Sequence, residues 1–268
     1  MNIQLSDHFT YGRLIRFVIP SVAMMIFTSV YGVVDGLFVS NFVGKTPFAA
    51  VNLIIPFCMI LGAFGFMFGT GGTALVAKTL GEGKKERANQ IFSMLIYVAL
   101  LLGILLALFG IVFVEPIALK LGADAAMLGY CVKYARVVLL GLPFFMLQNM
   151  FQSFLIAAEK PKMGLMVTIA AGATNMVLDA LFIAILQWGV VGAAAATALS
   201  QFVGGVVPLA FFSRKNSSKL RLTKTRLMGK ELLRTCTNGS SELVTNVSLS
   251  LVCMLYNMQL LKIAGQNG

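Results

Sequence analysis

Ionised side chains are scarce in the apolar parts of this sequence, and the few that occur there fall in a pattern. Of ten acidic residues, only Asp35, Asp179 and Glu242 lie well inside apolar runs; Asp7, Glu82, Glu86, Glu115, Asp124, Glu159 and Glu231 fall in polar segments or at run ends. A charge in the middle of hydrocarbon costs ~2.5–3.5 kcal/mol on insertion scales, so each buried acid calls for a partner or a ligand. Asn175 precedes Asp179 by four residues, which puts both on one face of a helix about a turn apart. With Thr197 these residues make two carboxylates and two neutral oxygens. Oxygen donors of that kind suit a hard cation such as sodium, and two carboxyls sharing a site also exchange protons as a pair. Plain helix-to-helix hydrogen bonding is the competing reading, strongest for Asn175 and Thr197. Glu242 stands eight residues past Arg234, ~12 Å along a helix; it either attracts a cationic group or reaches back to the headgroups.

The elements that must carry these side chains are membrane helices. The 268 residues are 58% hydrophobic and 12% charged, with 21 phenylalanines and one histidine, a balance of polytopic membrane proteins rather than soluble enzymes. Apolar runs long enough to cross ~30 Å of hydrocarbon give seven spans: 14–41, 52–78, 91–114, 128–157, 164–187, 190–212 and 235–263. Asp35 is ten residues short of Lys45, and Asp179 is nine short of Trp188, an aromatic interface anchor. Both therefore sit ~14 Å below the same boundary, and Thr197 ~9–13 Å below it. One cavity at one depth accommodates all four.

Sixteen of the 21 basic residues fall on the amino-terminal side of the membrane: Arg13, Arg16, Lys78, Lys84, Lys85, Arg87, Lys160, Lys162 and eight between Arg214 and Arg234. The positive-inside rule then predicts a cytoplasmic amino terminus. Residues 213–234 read as a basic cytoplasmic linker without an apolar face, an orientation signal lying on the inner surface with contact to membrane-lipid headgroups as the lesser reading, and they separate a six-helix unit (1–212) from the first helix of another (235–268). Span seven opens with LLR as span one opens with LIR; laying these together sets Cys253 opposite Asp35, a weak sign of a two-lobed repeat.

Pro20, Pro56, Pro143 and Pro208 lie within spans, where each removes a backbone hydrogen bond and kinks its helix. Phe57, Met59, Phe64, Met67, Phe144, Phe145 and Met146 are candidates for an adaptable apolar pocket, most of them expected to be ordinary packing. Small residues in Ile169–Asn175 and Gly192–Gly205 allow close helix approach, and Gly65 and Gly69 form a GxxxG pair.

Other classes find little support. No basic patch alternates with stacking aromatics, which argues against nucleic acid. Cys58, Cys131, Cys236 and Cys253 lack the spacing of a disulfide framework or zinc site and read as small buried hydrophobes. There is no Walker loop or GxSxG, and His8 falls in a polar tail, so no enzymatic chemistry is expected. The first apolar run is too long for a cleavable signal peptide.

IPSVAMMIFTSVYGVVDGLFVSNFVG in span one, GTGGTALVAKTLGEGKKERAN after span two, NMVLD in span five and GVVGAAAATALSQ at span six together resemble the multidrug and toxic compound extrusion family, in its MepA-like bacterial branch. The resemblance covers essentially the whole chain. It implies an all-α fold of two six-helix lobes related by a pseudo-twofold axis. It also implies export of amphipathic, often cationic compounds across the bacterial cytoplasmic membrane by alternating access, driven by Na⁺ or H⁺ with no other cofactor, in a monomer. Asp35, Asn175, Asp179 and Thr197 match the family's cation-coupling positions; Glu242 matches an acid of some members' seventh helix, and Phe144, Phe145 and Met146 are candidate substrate contacts. Ser40 stands where many relatives have glycine. The chain resembles a member cut after helix seven, which by itself would lack a complete cleft. A lipid-linked oligosaccharide flippase of the same superfamily and a non-transporting membrane scaffold are the rival readings. The flippase predicts a cationic cavity, and the scaffold predicts acids that can be lost without consequence.

Overall fold

A computed structural model describes residues 11–214 and 218–264; Asp7 and His8 lie outside the described residues. The helices are α1 (Tyr11–Phe38), α2 (Lys45–Gly81), α3 (Lys85–Lys120), α4 (Ala125–Leu140), α5 (Leu142–Ala157), α6 (Pro161–Asp179), α7 (Gly189–Ser213) and α8 (Gly229–Ala264). Two π-helical turns, Val39–Val43 and Ala180–Ile185, continue α1 and α6. Among the described residues, six helices are long and apolar enough to cross a membrane, seven with α4 and α5 taken as one bent span.

Local chemistry sets the ends. The Asp124 carboxylate accepts from the Met127 N–H at 2.8 Å and caps α4. Pro161 opens α6 at a position where the missing N–H has no intrahelical partner to lose. Gly83 and Gly122, at φ 77° and 100°, take the left-handed turns after α2 and α3.

Span four departs from expectation. It is not one kinked helix over 128–157 but two, meeting at Gly141 with a 54° bend. Pro143 therefore does not interrupt a helix; it starts one, in the first turn of α5. Pro20, Pro56 and Pro208 do lie inside helices, joined by Pro116 because α3 extends past the expected boundary.

The helices pack in a row, α1 on α6, α6 on α7, α7 on the α4–α5 pair, that pair on α2, and α2 on α8, with α3 behind α2, α4 and α5. Two apolar cores hold it. One, towards the Lys45 end, contains Leu53, Ile54, Val114, Cys131 and Leu139. The other, towards the Lys85 end, is built on Phe92, whose ring meets Phe154 and Phe212 edge-on at centroid distances of 4.9 Å each. Phe57 and Met67 belong to these cores, while Met59 is exposed. Cys58 and Cys131 are buried as expected, but Cys236 is half-buried and Cys253 is exposed.

The linker also differs from its sequence reading. Leu220 and Met228 are buried and Leu222 packs on the second core, so the segment does have an apolar face. Its extended backbone docks on α3: the Arg221 N–H donates to Asn89 Oδ1 at 3.0 Å and the Thr223 N–H to Ser93 Oγ at 2.9 Å. Lys219 pairs with Glu159 at 2.8 Å, and Arg87 of α3 pairs with Glu231. The last six residues of the expected linker, 229–234, are the first turns of α8.

Candidate functional site

Asp35 sits near the end of α1 and Asp179 at the end of α6, each just before a π-helical turn, and the two turns touch. A π turn inserts one extra residue per turn and redirects the backbone, a distortion common at functional sites. The two carboxyl groups are close enough to feel each other's charge. Asp179 is fully buried and Asn175, one turn earlier on the same face, is 2% exposed.

A fourth helix contributes a residue that sequence reasoning missed. The Tyr134 hydroxyl, on α4, lies beside Thr197 of α7 and close to both acids. Its ring is buried in the first core. One tyrosine within an ordinary apolar run carries no distinguishing sequence signal.

The structure thus brings Asp35, Asn175, Asp179 and Thr197 together. What characterises the cluster is unmet acceptors: Asp35 Oδ1, Asn175 Oδ1, both Asp179 oxygens and Thr197 Oγ1 are buried without a hydrogen-bond partner. Buried oxygens left unsatisfied cost ~1–3 kcal/mol each. A hard cation or protons would satisfy this donor set, since both seek oxygen lone pairs in a dry, negatively charged pocket.

α5 carries a second set of polar groups, in its seams with α2 and α7, where Ser153 lies against Gly69 and Gln148 against Gly204. Along α5, Phe144, Phe145, Gln148, Asn149, Gln152 and Ser153 are half-buried while the intervening residues are buried. The i, i+1, i+4, i+5 spacing of QN and QS in LQNMFQSF was the available signal. Amides and hydroxyls at membrane depth belong against protein or a water-filled cavity. Gln201 of α7, one turn beyond Thr197, is buried against Gly141 where α4 breaks, and its Oε1 is unpartnered.

The remaining expected residues are dispersed. Met146 is fully buried, with its backbone against Gly65 of α2 and its sulfur toward Gly103 of α3, so it lies in a helix seam. Glu242 is half-buried on α8, at the far end of the helix row from α1. Its carbonyl accepts from Asn246 Nδ2 at 2.8 Å, and it makes no ion pair among the described residues.

Comparison with known proteins agrees with this architecture. The MatE family profile matches residues 20–181. A multidrug export protein MepA of Staphylococcus haemolyticus (strain JCSC1435) is 29% identical over 208 residues, covering 78% of this chain and 46% of that protein. The chain thus spans about half the length of the curated relatives it matches. Among solved structures, an outward-facing multidrug resistance MATE family transporter of the MOP superfamily superposes with a TM-score of 0.84 at 25% identity, over 94% of this chain and 56% of that one. An inward-facing MATE transporter superposes equally well, TM-score 0.84 at 24% identity, over 94% of this chain and 58% of that one.

Proposed function

Since the chain belongs to the MatE family, a group whose members matched above are transporters, we propose that it forms the cation-coupling part of a secondary exporter of amphipathic, often cationic compounds. The observation that carries this reading is the pairing of Asp35 with Asp179 amid buried, unpartnered oxygens.

This reading implies a working cycle. With no cation bound, two carboxylates share a dry pocket and attract a positively charged compound. Na⁺ or H⁺ entering from the Lys45 side neutralises the pair, removes that attraction and favours a different packing of α1 on α6. An ion can shift the balance between two arrangements only by its difference in affinity for them. Asn175 and Thr197 supply neutral oxygens, Tyr134 brings a hydroxyl near the cluster, and the half-buried Phe144 and Phe145 of α5 are the ring surfaces proposed to meet the cargo. The match to outward- and inward-facing relatives with one TM-score fits a unit that keeps its shape while the access side changes. The orientation inferred is the one the charge bias gives, amino terminus in the cytoplasm of a bacterial cell.

The test is exchange in proteoliposomes. The chain binds a labelled cationic dye, and Na⁺ or acid displaces it; comparing the two ions separates sodium from proton coupling. Asp35→Asn and Asp179→Asn should each abolish the cation-dependent displacement, and in a two-lobed relative carrying the same changes, cation-driven efflux. Displacement unchanged in both variants would remove the acids from coupling.

A further inference from the structure

Residues 219–228 form a strap whose two sides are chemically distinct. The inner side is fixed to the protein: Leu220 and Met228 are buried, two backbone N–H groups are held by Asn89 and Ser93, and the Thr225 hydroxyl donates to the Gln90 carbonyl at 2.8 Å. At its ends, the Lys219–Glu159 and Arg87–Glu231 pairs use the nearby acids. The outer side presents Arg221, Lys224 and Arg226, continued by Lys230 in the first turn of α8, all exposed and none in an ion pair among the described residues, with Leu227 71% exposed among them.

This row lies where α3 and α8 begin, at the end of both apolar spans, and therefore at the level of a bilayer's headgroups. A cationic row with an apolar side chain set among it matches an anionic lipid surface, phosphates meeting the cations and acyl chain meeting the leucine. A soluble anion has no use for the leucine. We infer that the strap is a preformed binding surface for anionic phospholipid headgroups, built on α3 and joining the six-helix row to α8.

Preformation is the physical point. In a free linker, the same cations would have to be ordered on binding, whereas here the hydrogen bonds to Asn89 and Ser93 have fixed the backbone already. Each basic residue near an anionic surface strengthens association about fivefold. The geometry therefore predicts that lipid binding depends on the docking residues as well as on the charges.

The purified chain in mild detergent, mixed with equal phosphatidylglycerol and phosphatidylcholine and read by native mass spectrometry, should retain phosphatidylglycerol preferentially. Replacing Arg221, Lys224, Arg226 and Lys230 with Gln should lower that retention at least tenfold. Asn89→Ala with Ser93→Ala, which keeps every cation but releases the strap, should lower it about fivefold. Equal retention of the two lipids, or phosphatidylglycerol retention unchanged in the four-Gln or the docking variant, would overturn the inference. Displacement of the lipid by millimolar inorganic phosphate would do so as well, by assigning the row to a soluble anion.

Discussion

Gly71 on α2 and Gly239 on α8 meet backbone to backbone: a methyl group on Gly71 would run into the Thr235 carbonyl, and one on Gly239 into the Met67 carbonyl. Neither obstacle is a side chain that can swing away. Lower on the same seam, Asn257 Nδ2 donates to the Asn52 carbonyl at 2.7 Å, so the antiparallel contact of α2 with α8 runs most of their length. In lipid, where no hydrophobic force separates helices from their surroundings, such close contact is what holds them.

Gly71→Val and Gly239→Val should therefore each destabilise the chain by ~3 kcal/mol, the upper part of the range for overpacking a fixed seam. Asn257→Ala, which removes a single interhelical hydrogen bond, should cost only ~0.6 kcal/mol. Unfolding by SDS titration, followed by loss of helical circular dichroism, measures both, and equal effects at the two sites would mean the glycines are not in tight contact.

A third glycine bears on the site itself. Gly172 of α6 faces the rings of Phe27 and Tyr31 on α1, with a methyl at this position falling 2.6 Å from the Phe27 ring. It sits about two turns before Asp179, so its small size sets how near α1 can carry Asp35. Gly172→Val should push α1 outward and separate the acids, cutting cation-dependent dye displacement at least tenfold while the helical content stays unchanged. A cross-linking pair, Asp35→Cys with Asp179→Cys, should be bridged by a short bifunctional thiol reagent in the parent background and much less alongside Gly172→Val.

How much of this could be read beforehand depended on the kind of force involved. Most span positions follow from run length and hydropathy, which are local quantities. The meeting of Asn175 with Asp179 followed from helical periodicity alone. The break at Gly141 was not legible, because a Gly–Leu–Pro step inside an apolar run reads equally as a kink or as a fresh start, and the Gln201 side chain that lies against it comes from another helix. Tyr134 was hidden for the same reason: its hydroxyl matters only because α7 brings Thr197 to it. The strap was misjudged because Leu220 and Met228 are too widely spaced to show an apolar face until the backbone is extended and α3 supplies the acceptors.

Function and stability should pull in opposite directions at Asp179. The carboxylate is fully buried, faces another acid and has two unpartnered oxygens, so it contributes little to holding the helices together. Asp179→Asn should keep the volume and increase resistance to SDS unfolding by roughly 1 kcal/mol or more, as removal of an uncompensated buried charge does. The same variant should no longer release dye on addition of cation. A loss of stability instead would mean that the acid is a structural partner, as a scaffold would require.

Tyr134 separates packing from chemistry most cleanly. Its ring fills the first core, and its hydroxyl reaches Thr197 and the acids from a helix that carries no acid of its own. Tyr134→Phe keeps the ring and deletes only the hydroxyl, so unfolding should change by less than ~1 kcal/mol, the net worth of one hydrogen bond. Cation affinity should fall about fivefold, because one oriented oxygen is withdrawn from the cluster. Tyr134→Ala should cost ~3–5 kcal/mol as an emptied aromatic site. Titrating dye displacement against Na⁺ and against acid, in the parent and Tyr134→Phe chains, gives the affinities. If both ions titrate as in the parent chain, the hydroxyl serves only to tie α4 to α7.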